Sequence, residues 1–382
     1  MGEAKFRVWF GSREASEDDL ARIEEIEVTQ EIDKFWEARM RTTMCLDAQG
    51  NWQHRPDTVA GAFSRVRVEL DPGNGSFVPL IDGPVSNFES MLDSQPGRST
   101  ATFAVRDDSV FLNREEGTEV FRDRTDSQVA DEVLRSIDEI ADTRIEPPTA
   151  ASHPITTRRE TKLVFLEKLA SANERRVYVL PGPERGQSIG CFLPDPASPT
   201  GELPALRLIG DDRNLSDVTI EEDSEAPERT HGSTLRLSDG VLASFEVSSA
   251  DLRIDGDRPA VPPGTEPLRL LPPADALHED LEDAATGRAR EAGYAFKLTS
   301  SVIPGCYAAV LTPYVKVRVE CGSTPYSGNY LITKVVHRIT PSLYSQRFEA
   351  KSDGSTEVPD APVAEAPGGG LSISFSASVG VF

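Results

Sequence analysis

The chain has 382 residues, with 63 acidic against 40 basic side chains, a formal charge of -23 and a sequence pI near 4.7. That balance argues against a nucleic-acid footprint, which needs a basic patch or stripe. An apolar fraction of 38% suffices for folded cores, while 28 glycines and 28 prolines favour many turns over long helices.

The chain opens with a strand-like KFRVWF at residues 5 to 10. RIEEIEVTQEID (22 to 33) follows, alternating imperfectly through Ile23, Ile26 and Val28, and FWEARMRTTMCL (35 to 46) alternates better through Ala38, Met40, Thr42 and Met44. SRVRVEL (64 to 70) carries Val66, Val68 and Leu70 on one face. FVPLIDGPVSNFESML (77 to 92) and RSTATFAVRDD (98 to 108) continue the pattern. Short alternating runs of this kind predict an antiparallel β block able to close a small barrel.

The period then changes. Val129, Val133, Leu134 and Ile137 recur at helical spacing after a Thr125 or Asp126 cap, and Leu163, Leu166, Leu169 and Ala170 form a second stripe. RRVYVLPG (175 to 182) reads as the strand between that helix and a turn. Strands are expected again at 203 to 210, 216 to 223 and 232 to 256, and a polar helix at about 276 to 292. VKVRVEC (315 to 321) alternates valines with charges, the pattern of a strand with one wet side. It leads into a hairpin over 326 to 350, whose outward face is expected to mix Tyr, Thr, Lys and His. Beyond Asp353 lies a Pro/Ala/Glu/Gly linker, and the final LSISFSASVGVF alternates Leu371, Ile373, Phe375, Ala377, Val379 and Val381 with small residues.

The sequence offers no positive argument for catalysis, a cofactor or a metal. His54, His153, His231, His278 and His337 have no second ligand at a recognised spacing. Cys45, Cys191, Cys306 and Cys321 are scattered, as free thiols are. No Gly-rich loop joins a strand to a helix, and no serine stands in a GxSxG elbow. The first residues carry no export signal and no apolar run is long enough to span a bilayer, so synthesis in the cytoplasm is expected, without membrane insertion.

Several segments together resemble one family, the phage late control D or T4-type baseplate hub proteins, related to the hub portion of type VI spike proteins. They are Ile81-Asp82-Gly83-Pro84-Val85; Asp107-Asp108-Ser109 with Leu112 and Arg114; and Phe121, Asp123, Thr125, Ser127, Val129 and Ala130. Phe165, Leu166, Leu169, Ala170 and Asn173 follow, with Tyr178-Val179. Last come Ser327, Gly328, Tyr330, Ile332, Val335 and His337, with Tyr344 and Phe348 downstream. The groups occur in the family's order over residues 78 to 350.

The resemblance implies a mainly β (α+β) chain: a first β-barrel hub domain (1–112), an α/β insert (113–205), a second β-barrel hub domain (206–350), then a linker and C-terminal strand (351–382). It implies a homotrimer that joins a hexameric inner tube to a separate trimeric spike within the baseplate of a phage tail or injection particle. Other baseplate proteins would surround it, with no direct nucleic-acid recognition. The interface residues expected on this reading are Tyr330, His337, Tyr344, Leu371, Ile373 and Phe375, the last three on a strand completed by a partner. A glycan- or receptor-binding β module is the alternative, and it requires aromatics exposed along a groove.

Overall fold

The computed structural model describes residues 4–53, 61–95, 97–146, 152–199, 201, 203–236, 240–252, 255–271 and 281–356. The expected mainly β architecture is what it shows. Its centre is a 13-stranded sheet in which every neighbour along the main path is antiparallel. From one end the order is Leu215–Glu222, Phe296–Val302, Leu343–Ser352, Gly328–Thr340, Ile23–Glu31, Glu37–Thr43 and Thr100–Arg106. It continues through Val78–Met91, Arg65–Asp71 and Lys5–Phe10 to the two-residue strand Arg13–Glu14.

Strands from the beginning and the end of the chain are thus neighbours. Ile23–Glu31 pairs with Gly328–Thr340 in the register Ile26↔Ile339, Val28↔His337 and Gln30↔Val335. The apolar packing still divides. One core gathers Ile26, Met40, Val68, Ile81 and Phe103; a second gathers Leu215, Leu298, Val319, Tyr330 and Phe348. The sheet is shared and the cores are separate.

A third core, with Val129, Leu134, Phe165, Leu166 and Phe192, belongs to the insert. Its two helices start where the cap residues predict. Thr125 accepts from the Gln128 amide and closes a capping box before Asp126–Arg135, and Thr161 caps Lys162–Ala172. They pack with a three-stranded sheet ordered Ile140–Ile145, Ser188–Leu193, Arg176–Pro181, whose outer members are parallel and antiparallel to the middle one. The later polar helix spans Leu281–Gly293 and supports a three-stranded sheet built around Arg229–Arg236; the residues before 281 lie outside the described ones.

Two local irregularities shape the sheet, and the first corrects the sequence reading. In Gly328–Thr340 the register shifts between Ile332 and Lys334. Such a bulge reverses which face the following residues take. Tyr330, Ile332, Val335 and His337 therefore all point inward, and Tyr330 is only 1% exposed. The outward tyrosine and histidine expected of the hairpin are core residues of this chain. The second irregularity is Gly83, where a Cβ would sit 1.8 Å from the Arg106 carbonyl oxygen. The strand can pass Arg106–Asp107 that closely only without a side chain.

Tyr330 fills the second core and donates its hydroxyl to the Tyr326 carbonyl at 2.9 Å. Tyr330→Ala is expected to cost about 3–5 kcal/mol of folding stability, read from urea unfolding. Tyr344→Ala, at a half-buried position, should cost clearly less.

Candidate functional site

Eight consecutive strands of the large sheet, from Leu215–Glu222 to the second half of Val78–Met91, turn their apolar residues to the cores. Their opposite faces form one continuous polar surface. By register, its acidic residues are Glu25, Glu27, Glu31, Glu37, Glu89, Asp217, Glu221 and Glu349. Its solvent-facing basic residues are Arg39, Arg41, Arg106, Lys297, Lys334, Arg338 and Arg347; Lys351, opposite Lys297, is buried against Glu291. Eight against seven leaves this face near neutrality in a chain of charge -23. The acidic surplus lies elsewhere.

Neighbouring strands neutralise one another across the face. Glu37 accepts from Arg39 Nε at 2.8 Å and Arg106 Nε at 3.1 Å; Lys334 lies 3.6 Å from both Glu31 and Glu349; Arg338 pairs with Glu25. Arg41 reaches Glu24, at a bulge, at 2.7 Å. Exposed pairs of this kind contribute little stability each. Their effect is on the surface potential, which they flatten. Large apolar side chains are nearly absent here: Val336, Leu343 and Met91 are the exceptions. Both borders of the strip are open among the described residues. Leu215–Glu222 pairs on one side only, and residues 86–91 continue beyond the end of their pairing with Arg65–Asp71.

Beneath the face lie buried polar joints. His337 is 0% exposed, with Nδ1 2.9 Å from the Tyr344 hydroxyl and Nε2 3.3 Å from Gln30 Oε1. Gln30 donates onward to the Leu80 carbonyl at 2.8 Å. Burial pushes the imidazole pKa down to about 3, so it stays neutral.

A second joint ties the first core to the insert. Arg65 pairs with Asp108, and its Nε lies 2.9 Å from Asp82. Arg67 Nη1 donates to Asp82 at 3.0 Å and to the Gly182 carbonyl at 2.8 Å; Ser188 donates to Asp108 at 2.6 Å. Asp107 accepts from the Trp36 amide at 2.5 Å and from Ser109. Burial raises the Asp107 pKa to about 6 and that of Asp108 to about 7, against the opposing pull of these donors. A third joint centres on Arg176, which pairs with Asp33 at 2.6 Å, Asp195 at 3.0 Å and Glu291 at 2.5 Å, one from each packing unit. A cleft of about 710 Å³ opens beside it.

Of the expected interface residues, Tyr330 and His337 are internal, Tyr344 is half-buried against His337, and Leu371, Ile373 and Phe375 lie outside the described residues. The residues that carry the joints, Arg65, Arg67, Gln30, Ser188 and Arg176, were not singled out by the sequence. The one available signal was a charge or amide inside an otherwise apolar strand. No group of three or more metal-ligating side chains occurs among the described residues.

No family model matches the sequence, and no curated protein matches it. Solved structures do match its fold. The 43 kDa tail protein of prophage MuSo2 from Shewanella oneidensis superposes with a TM-score of 0.66 at 12% identity, over 91% of this chain and 98% of that one. A tail protein from Neisseria meningitidis MC58 gives 0.63 at 14% identity, over 92% and 97%. An Escherichia coli component of the type VI secretion system, itself described as structurally similar to T4 tail proteins gp27 and gp5, gives 0.54 at 12%, over 91% and 76%. The chain has the fold of phage tail proteins and of the related type VI components.

The joints make stability pH-dependent with opposite signs. His337, depressed from 6.5 to about 3, stabilises the fold above pH 6.5, and that contribution is lost as pH falls toward 3. Asp107 and Asp108, raised from 3.8, contribute fully below that value and lose their contribution as pH rises through about 6 and 7. Between pH 7 and pH 5 the histidine alone accounts for about 2 kcal/mol of loss. The difference in unfolding free energy between wild type and His337→Gln should therefore shrink by about that amount over this interval. A pH-independent difference would mean that the imidazole titrates in the fold as it does in the unfolded chain.

Proposed function

We propose that this chain is the structural hub of the baseplate of a contractile tail or injection particle. Three copies join a hexameric inner tube to a separate trimeric spike, with other baseplate proteins outside. The observation that carries this reading is the correspondence with tail proteins over nearly the full length of both chains. The role is structural and assigns no catalytic group.

The eight-stranded polar strip supports it physically. A strip with an unpaired strand at each border is complementary to itself head to tail, and a head-to-tail contact that closes makes a ring. In this reading the edge Leu215–Glu222 of one copy meets residues 86–91 of the next, and the two cores of each chain supply two of six similar positions. The ring removes edges that would otherwise template aggregation. Its polar face lines the passage. A wall with paired charges and almost no apolar side chains neither recognises nucleic acid nor retains a polypeptide passing it. The alternative, a glycan-binding groove, finds no support in the tryptophans: Trp36 is 3% exposed, Trp9 is covered by Arg185 at 3.7 Å and Trp52 is half-buried.

Light scattering on the purified chain should give about three times 41.6 kDa, and negative-stain images should show a ring with a central opening. Thr219→Lys combined with Asn87→Lys places like charges on the two meeting edges at exposed positions, and should shift the mass toward the monomer with an unchanged melting temperature. A wild-type chain that stays monomeric at every concentration, or a double variant that assembles normally, overturns this arrangement.

A further inference from the structure

The sheet around Arg229–Arg236 has one face on the helix Leu281–Gly293 and ends in the short strand Leu268–Leu270, which among the described residues pairs only with residues 229–231. Thr230 and Gly232 face the helix; a Cβ on Gly232 would come within 2.5 Å of Leu281. Register then puts Leu268 and Leu270 on the opposite face, beside Arg229 and His231, where they are 48% and 71% exposed. Two leucines on an open strand edge are a template for a further strand. We infer that this edge is the docking site of residues 371–382 of the same chain, which add to it as an outer strand.

Three observations select this occupant. The first is reach. Gly354–Ser355, at the end of the described chain, pairs with Arg258–Pro259. Pro259 is nine residues before Leu268, so the two lie no more than about 32 Å apart. The fourteen residues 357–370 can span about 46 Å, and as a flexible Gly-containing chain they have a root-mean-square span of about 21 Å. A tether of that length holds its end near the site at millimolar effective concentration.

The second is pattern. Residues 371–382 bear no charged side chain and alternate Leu371, Ile373 and Phe375 with serines. A strand of that pattern placed at the edge satisfies its backbone on one side and sets apolar side chains beside Leu268 and Leu270. The third is charge. Glu357, Asp360 and Glu365 are the only charged side chains of the tether, and Arg258 and Arg269, both exposed, flank its path.

Hydrogen exchange of the full chain tests this, and it does not depend on the hub reading. Amides of 268–270 and of 371–382 should both exchange at least tenfold more slowly than free-chain rates, and tenfold dilution should leave that protection unchanged. Truncation after Gly370 should release 268–270. Leu270→Lys, at an exposed position, should release 371–382 without lowering the melting temperature by more than a degree or two. Free-chain exchange of 371–382 overturns the inference, as does an unchanged 268–270 in the truncated chain or an unchanged 371–382 in the lysine variant. Protection lost on dilution assigns the strand to a neighbouring copy and overturns it equally.

Discussion

The pairing of Ile23–Glu31 with Gly328–Thr340 is the contact on which the rest of the molecule depends. It joins segments some 300 residues apart, and without it the large sheet falls into two smaller ones with two additional edges. Closing so long a loop is less costly than the separation suggests, because loop entropy grows only with the logarithm of length. The demanding requirement is register. A slip of one residue would turn the whole inward set to water. Here it would also take His337 away from Gln30, leaving buried polar groups without partners. Such a group costs about 1–3 kcal/mol. The buried polar residues at this seam therefore specify one alignment among several that the valines and isoleucines alone would accept.

The strands and two principal helices were legible because their signals are local. Alternation in SRVRVEL and VKVRVEC, and caps at Thr125 and Thr161, depend on neighbours a few residues away. The sharing of one sheet by two β blocks was not legible, since no local pattern says which strand pairs with which. Nor was the bulge at Ile332–Lys334. An alternation rule carried through it assigns every later side chain to the wrong face, which is why His337 was expected outside. Arg67 was missed for a related reason. It alternates with valines like a solvent-facing residue, yet the insert covers that face, and the guanidinium meets Asp82 and the Gly182 carbonyl under it. Of the candidate site, the residue identities were readable and their side of the sheet was not.

Composition also pointed away from the surface that matters. A net charge of -23 suggests an acidic wall wherever the chain faces water. The polar strip is nearly balanced instead, and the balance is built across strands: Glu27 stands opposite Arg39 on one side and Arg338 on the other. Cross-strand opposite charges are mildly favourable and like charges unfavourable, so pairing within the sheet favours a mosaic over a single-sign field. The acidic surplus is carried by positions outside that register, where mutual repulsion promotes solubility at little cost to the fold.

The ion-paired joint of Arg65, Arg67, Asp82 and Asp108 poses a different question, because buried ion pairs are poor sources of stability. Desolvating four charged groups costs several kcal/mol each, and apolar replacements of similar volume are often neutral or stabilising. What such a joint supplies is direction. An apolar contact between the first core and the insert would tolerate rotation, since hydrophobic burial is nonspecific in angle. The two guanidinium forks instead accept few geometries: Arg67 must meet Asp82 together with the carbonyls of Gly182 and Pro183, while Asp108 receives Arg65 and Ser188 at once. Arg176 fixes a second point of the same insert through Asp33 and Glu291. Two anchored points leave a body only rotation about the line between them, and the close passage at Gly83 restricts that as well. A subunit whose parts must present strand edges to its neighbours in a fixed relation needs this constraint more than it needs a further increment of stability.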